Sequence, residues 1–108
     1  MISFEPLGAE IRIIVPDIVG AVVRGRIRLF LSENSDGFTA SAGEASWLGV
    51  VEKTEPATVY DVIGLTSIAL EELANMILAN SEGVVLYARL PDGTAGLFAR
   101  DIDACEFS

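Results

Sequence analysis

Three arginines on alternate residues, Arg24, Arg26 and Arg28, hold three of the seven basic side chains in a chain that carries sixteen acidic ones. Guanidinium forks bind carboxylates and phosphates through paired hydrogen bonds, and aromatic rings beside them can stack an organic ring. In a β-strand alternate residues share a face, so the three arginines would project together while Val23, Ile27, Leu29 and Leu31 take the other side. Tyr87, Arg89, Phe98 and Arg100 follow the same alternation near the end of the chain. Together the seven residues form a candidate face for a small anionic ligand carrying an aromatic ring. The competing reading is structural: the arginines pair across strands with acids, Glu10 and Asp101 among them.

Other reactive groups are few. The chain has no histidine, which removes Ser-His-Asp and Cys-His nucleophile systems and histidine as a general base. One cysteine, Cys105, stands among Asp103 and Glu106, whose charges raise a thiol pKa and disfavour a thiolate. Without histidine, that single cysteine cannot build a zinc site of the usual kind within one chain. Lys53 lies beside Glu52 and Glu55, where an ordinary ammonium is favoured. Asp101, Asp103 and Glu106 could hold a hard divalent ion, but a polar chain end gives the same pattern. Neither a phosphate-binding glycine loop nor a dinucleotide fingerprint is present. The sequence therefore points to no cofactor and no metal.

These residues must be positioned by a small domain. At 108 residues the chain can build one core without disulfides or metal, and it reads as a single domain over 1–108. Hydrophobic residues make up 51% and mean hydropathy is +0.47, which is high for so small an interior. The surplus apolar surface suggests a second copy of the chain as partner, hence a homodimer. A net charge of −9 repels phosphate backbones, argues against nucleic acid, and would suit a basic protein partner. The opening Met1-Ile2-Ser3-Phe4-Glu5-Pro6 lacks a basic region followed by an apolar stretch, no apolar run is long enough for a bilayer, and the chain reads as cytoplasmic.

Alternation suggests strands over 9–15, 21–32, 38–43, 47–52 and 58–63, with turns at Pro16-Asp17 and at Asn34-Ser35-Asp36-Gly37. Helical spacing of Leu70, Leu73, Ala74, Ile77 and Leu78 predicts a helix over 67–80, capped by Thr66 or Ser67. Pro91-Asp92-Gly93-Thr94 joins two last strands, 84–90 and 95–103, as a hairpin. Centring the turn on Asp92-Gly93 sets Tyr87 opposite Phe98. The expected fold is α+β: a mostly antiparallel sheet of six or seven strands with one helix on one face, in the order five strands, helix, two strands. Poor catalytic equipment and strong acidity lead to the expectation of a non-enzymatic protein-binding module of inhibitor type. The alternative is a ligand-binding domain using the arginine and aromatic face.

Overall fold

The computed structural model describes residues 2–45, 55–80 and 85–99. The first strand, β1 (Glu10–Pro16), ends in a single 3-10 turn (Asp17–Val19) and is followed by a helix, α1 (Gly20–Asn34). Two strands come next, β2 (Gly37–Ala45) and β3 (Glu55–Ile63), then a second helix, α2 (Ser67–Ala79). The hairpin β4 (Val85–Arg89) and β5 (Ala95–Ala99) completes the described chain. The strands lie in the order β2-β3-β1-β4-β5, and every neighbouring pair is antiparallel. This is the split β-α-β arrangement of ferredoxin-like folds, widened by one edge strand. No helix among the described residues is long and apolar enough to cross a membrane.

The α+β class and the antiparallel sheet agree with the sequence; the element order does not. Among the described residues there are five strands and two helices, and the arginine-bearing segment is the helix α1. Val23, Ile27 and Leu31 are buried at intervals of four residues, with Val19 below them. That spacing fits a helix face as well as a strand face, and leucine, arginine and alanine all favour helix. Leu29 decides the matter: it should join the core in a strand, but it is exposed, whereas Phe30 packs against the core. The strand expected over 47–52, with Trp47 and Lys53, lies outside the described residues.

α2 follows its sequence pattern closely. Leu70, Leu73, Ala74, Ile77 and Leu78 are all buried, and Thr66 Oγ1 accepts a hydrogen bond from the Ala69 backbone N–H at 3.1 Å. Such a cap is worth about 1 kcal/mol. The two helices lie on one side of the sheet, over Ile11, Ile13 and Val15 of β1 and Tyr60 and Val62 of β3. Arg26 links them: its Nη1 donates to Asn80 Oδ1 at 3.3 Å at the end of α2.

The hairpin forms where expected, with a register one residue away. Gly93 has φ +89°, Gly93 N–H donates to the Leu90 carbonyl at 3.0 Å and Leu90 N–H to the Thr94 carbonyl at 2.8 Å. The loop therefore holds three residues, Pro91, Asp92 and Gly93, instead of two, a geometry that needs glycine in the left-handed region. Phe98 is consequently set opposite Leu86, and Tyr87 opposite Leu97.

Candidate functional site

α1 turns by roughly 100° per residue, so residues four apart share a side and residues two apart do not. Arg24 and Arg28 accordingly stand one turn apart on the flank of α1 nearest β3, and Arg26 points to α2. Arg24 Nη1 donates to the Asp17 carbonyl at 3.3 Å and lies 3.8 Å from the Asp17 carboxylate. Arg28 is exposed and makes no ion pair among the described residues.

The 3-10 turn that carries Asp17 is fastened to the sheet. Thr58 Oγ1 donates to Asp17 Oδ1 at 2.9 Å. Two residues along β3, on the same face, Tyr60 is only 1% exposed. Burial raises the Tyr60 hydroxyl pKa above its ordinary value; the positive charges of Arg28 and Arg24 oppose that shift, Asp17 adds to it, and the Thr58 hydroxyl is within hydrogen-bonding reach. The result is a line of polar groups, Tyr60, Thr58 and Asp17, running from the core edge to the Arg24 guanidinium.

Next to this line the sheet is bare. The β2–β3 register sets Ala40 opposite Tyr60 and Ala42 opposite Thr58, so these small side chains share the helix-facing side. Both are exposed, because the two helices leave β2 partly uncovered. At the inner end the Phe38 ring meets Tyr60 with centroids 6.3 Å apart and planes tilted by 55°. A shallow, flat floor of alanines thus lies beside two cations, a carboxylate and two hydroxyls.

The other expected site residues do not join this cluster. Arg89 is exposed, is registered to Arg12, and follows the buried Ala88, so it stands on the sheet face away from the helices. On that face Arg12 is paired with Asp61, directly opposite on β3, by a 2.8 Å contact from Nε to Oδ1. Tyr87 is at the register position opposite Ile14. Phe98 packs against the core on the helix side. Arg100 lies outside the described residues, as do Asp101, Asp103, Cys105 and Glu106. The single arginine and aromatic face is therefore corrected: Arg24 and Arg28 share one flank of α1, Arg26 and Arg89 are elsewhere, and Asp17, Thr58 and Tyr60, which the sequence did not single out, lie on the Arg24 side.

Two hollows open at the opposite flank, by the head of α2. One of about 320 Å³ is lined by Ile11, Leu65, Ser67, Leu90, Pro91 and Asp92. A smaller one of about 110 Å³ shares Leu90 and reaches Phe98. Their walls are mainly apolar. The Asp92 carboxylate is held below its ordinary pKa by the Thr94 backbone N–H, 2.8 Å away, and then by the Thr94 hydroxyl, so it serves its own turn. Among the described residues no group of three His, Cys, Asp or Glu side chains is arranged to hold a metal ion.

No family model and no curated protein matches this sequence. Among solved structures, the chain is similar to a phage SAM lyase in complex with S-methyl-5'-thioadenosine, with a TM-score of 0.57 at 12% identity, over 95% of this chain and 98% of that one. The likeness is one of fold. It overturns the grounds for expecting a non-enzymatic protein-binding module, because the same architecture serves as a lyase in that protein.

Proposed function

We propose that this chain binds a thioether or sulfonium nucleoside of the S-methyl-5'-thioadenosine class, and that it acts on the sulfonium form as a lyase. The observation that carries the reading is the whole-length fold correspondence with a SAM lyase holding that nucleoside. Its charge and residue inventory fit the same chemistry.

A sulfonium brings its own leaving group. Breaking one carbon–sulfur bond returns the electron pair to sulfur and releases a neutral thioether. The departing carbon is then satisfied by loss of a neighbouring proton or by attack of the ligand's own carboxylate, and neither route calls for a histidine. A site for this reaction must mainly hold the ligand in a reactive conformation. S-adenosylmethionine carries one sulfonium and one ammonium against one carboxylate, so a chain of net charge −9 attracts it.

Roles follow for the cluster beside α1. Arg28, with no ion pair among the described residues, and Arg24 receive the ligand's carboxylate. Asp17, fixed in place by Thr58, meets the positive centre. Ala40 and Ala42 present a flat surface for the nucleoside ring. Tyr60 is too buried to touch the ligand and acts by orienting Thr58.

Titration calorimetry with S-methyl-5'-thioadenosine tests the binding half of the reading. Saturable heat for the wild type supports it, and Arg28→Ala, whose proposed partner is the carboxylate this thioether lacks, should leave that signal intact while weakening the binding of S-adenosylmethionine. No heat at any ligand concentration, with the protein folded by circular dichroism, rejects it.

A further inference from the structure

β5 is an edge of the sheet: among the described residues no strand lies beyond it. Leu90 N–H donates to the Thr94 carbonyl, so by the alternation of antiparallel ladders the next hydrogen-bonded pair is Ala88 with Gly96. The N–H and C=O groups of Ala95, Leu97 and Ala99 therefore point away from β4, along the open edge. Edges are normally kept from pairing by charge, proline or a bulge. The β5 sequence Ala-Gly-Leu-Phe-Ala has no charge and no proline, and its register with β4 runs unbroken.

We propose that β5 of one copy of this chain pairs antiparallel with β5 of a second copy, about a two-fold axis at Leu97, joining the two sheets into one. The occupant follows from the order of side chains along the strand. On that axis Ala95 meets the partner's Ala99, and Gly96 meets the partner's Phe98. Gly96 has open space where a Cβ would stand, and Phe98, two residues on and on the same face, is half-buried. The hollow of about 110 Å³ lined by Ala88, Leu90, Thr94, Gly96 and Phe98 opens on this face. Its size is of the order of the roughly 150 Å³ that takes up a benzene ring, so it receives the partner's Phe98 ring over Gly96. This pair is a non-hydrogen-bonded one, in which facing side chains stand closest. One strand thus carries both the ring and its seat, and the two-fold makes each copy fill the other.

Charge agrees with this arrangement. Copies of a chain with net charge −9 repel each other over most of their surface, so a contact between them must keep acids apart. Among the described residues the nearest acid along the chain is Asp92, in the turn before β5. The antiparallel two-fold sets the two Asp92 residues at opposite ends of the contact, about 34 Å apart along the strands. That is roughly three times the screening length at 0.1 M salt. Arg89, exposed and registered to Ala95, leaves a cation beside the edge that an acidic copy approaches.

The extent of the contact sets its strength. The five residues of β5 are well short of the roughly 20–30 a side that line a standard interface. The pairing is therefore weak, and the dimer grows in with protein concentration.

Sedimentation velocity on the full chain, from about 10 µM to 1 mM, tests the inference. The mass should rise with concentration toward twice 11.5 kDa. Gly96→Glu sets two like charges about 7–8 Å apart across the axis and should weaken the dimer ten-fold or more. Gly25→Glu adds the same charge on the exposed side of α1 and should leave the dimer intact. Both glycines have open space at the Cβ position, so circular dichroism should show both variants folded. The register is read by isotope-filtered nuclear Overhauser spectroscopy on a mixture of labelled and unlabelled wild-type chains. A contact between Gly96 of one chain and the Phe98 ring of the other is expected. A monomer at every concentration, equal weakening by the two variants, or a dimer without that contact would each overturn the proposal.

Discussion

Asp17 and Thr58, forty-one residues apart, are joined by a hydrogen bond of 2.9 Å from the threonine hydroxyl to the carboxylate. That contact fastens the turn at the start of α1 to β3, and through Arg24 it sets where the positive flank of the helix stands. Thr58→Val keeps the shape and removes the bond. It should cost about 1 kcal/mol in urea unfolding and weaken nucleoside binding by more than that stability loss explains, because Asp17 is then free to turn away. Unchanged affinity would detach Asp17 from the site.

Arg28 and Arg26 provide an internal control. Both are on α1, but Arg28 belongs to the β3 flank and Arg26 bonds Asn80. Loss of a charge-assisted bond to the ligand carboxylate should reduce affinity for S-adenosylmethionine roughly ten-fold or more for Arg28→Ala. Arg26→Ala should leave affinity within about two-fold and reduce stability by about 1 kcal/mol or less. Equal losses in calorimetry would mean that net charge alone matters.

The legibility of the chain in its sequence depended on how far one period excluded another. α2 was readable because Leu70, Leu73, Ala74, Ile77 and Leu78 mix intervals of three and four, which no strand satisfies. α1 was misread because Val23, Ile27 and Leu31 are separated by fours, and four is a multiple of the strand period as well as nearly one helical turn. The arginines at 24, 26 and 28 reinforced the strand pattern by chance of spacing. Asp92-Gly93 marked the hairpin correctly, yet its register depended on Gly93 adding a third loop residue. The site was the least visible part. Asp17 looked like a strand breaker and Tyr60 like an ordinary strand residue, and only the packing of the 3-10 turn, α1 and β3 brings them together.

Tyr60 predicts an alkaline limit to stability. Burial raises its pKa in the folded state above the unfolded value near 10. The folded chain therefore keeps the phenol proton to higher pH. The resulting stabilisation is fully present below the unfolded pKa and is lost as pH rises through the folded one. Melting temperature should fall above about pH 10 in the wild type, and Tyr60→Phe should flatten that decline. Parallel alkaline limbs for the two proteins would contradict the burial of an ionisable hydroxyl here.

Gly64 tests the join between the sheet and α2. It has φ +77°, and a Cβ at this position would run into the side chain of Asp36. Both the backbone conformation and the close approach disfavour any larger residue, so Gly64→Ala should cost more than about 1 kcal/mol in denaturant unfolding. Gly37 has open space around its Cβ position, and Gly37→Ala should be much milder. Equal effects would remove the steric account.

The central claim is that this fold acts on a sulfonium nucleoside. The most direct measurement is to incubate the purified chain with S-adenosylmethionine and follow S-methyl-5'-thioadenosine by liquid chromatography and mass spectrometry. Arg28→Ala and a no-protein sample serve as controls for spontaneous breakdown. The account predicts thioether release that scales with wild-type protein and is reduced in the variant. Release no faster than in the no-protein sample, from a folded protein, would contradict it.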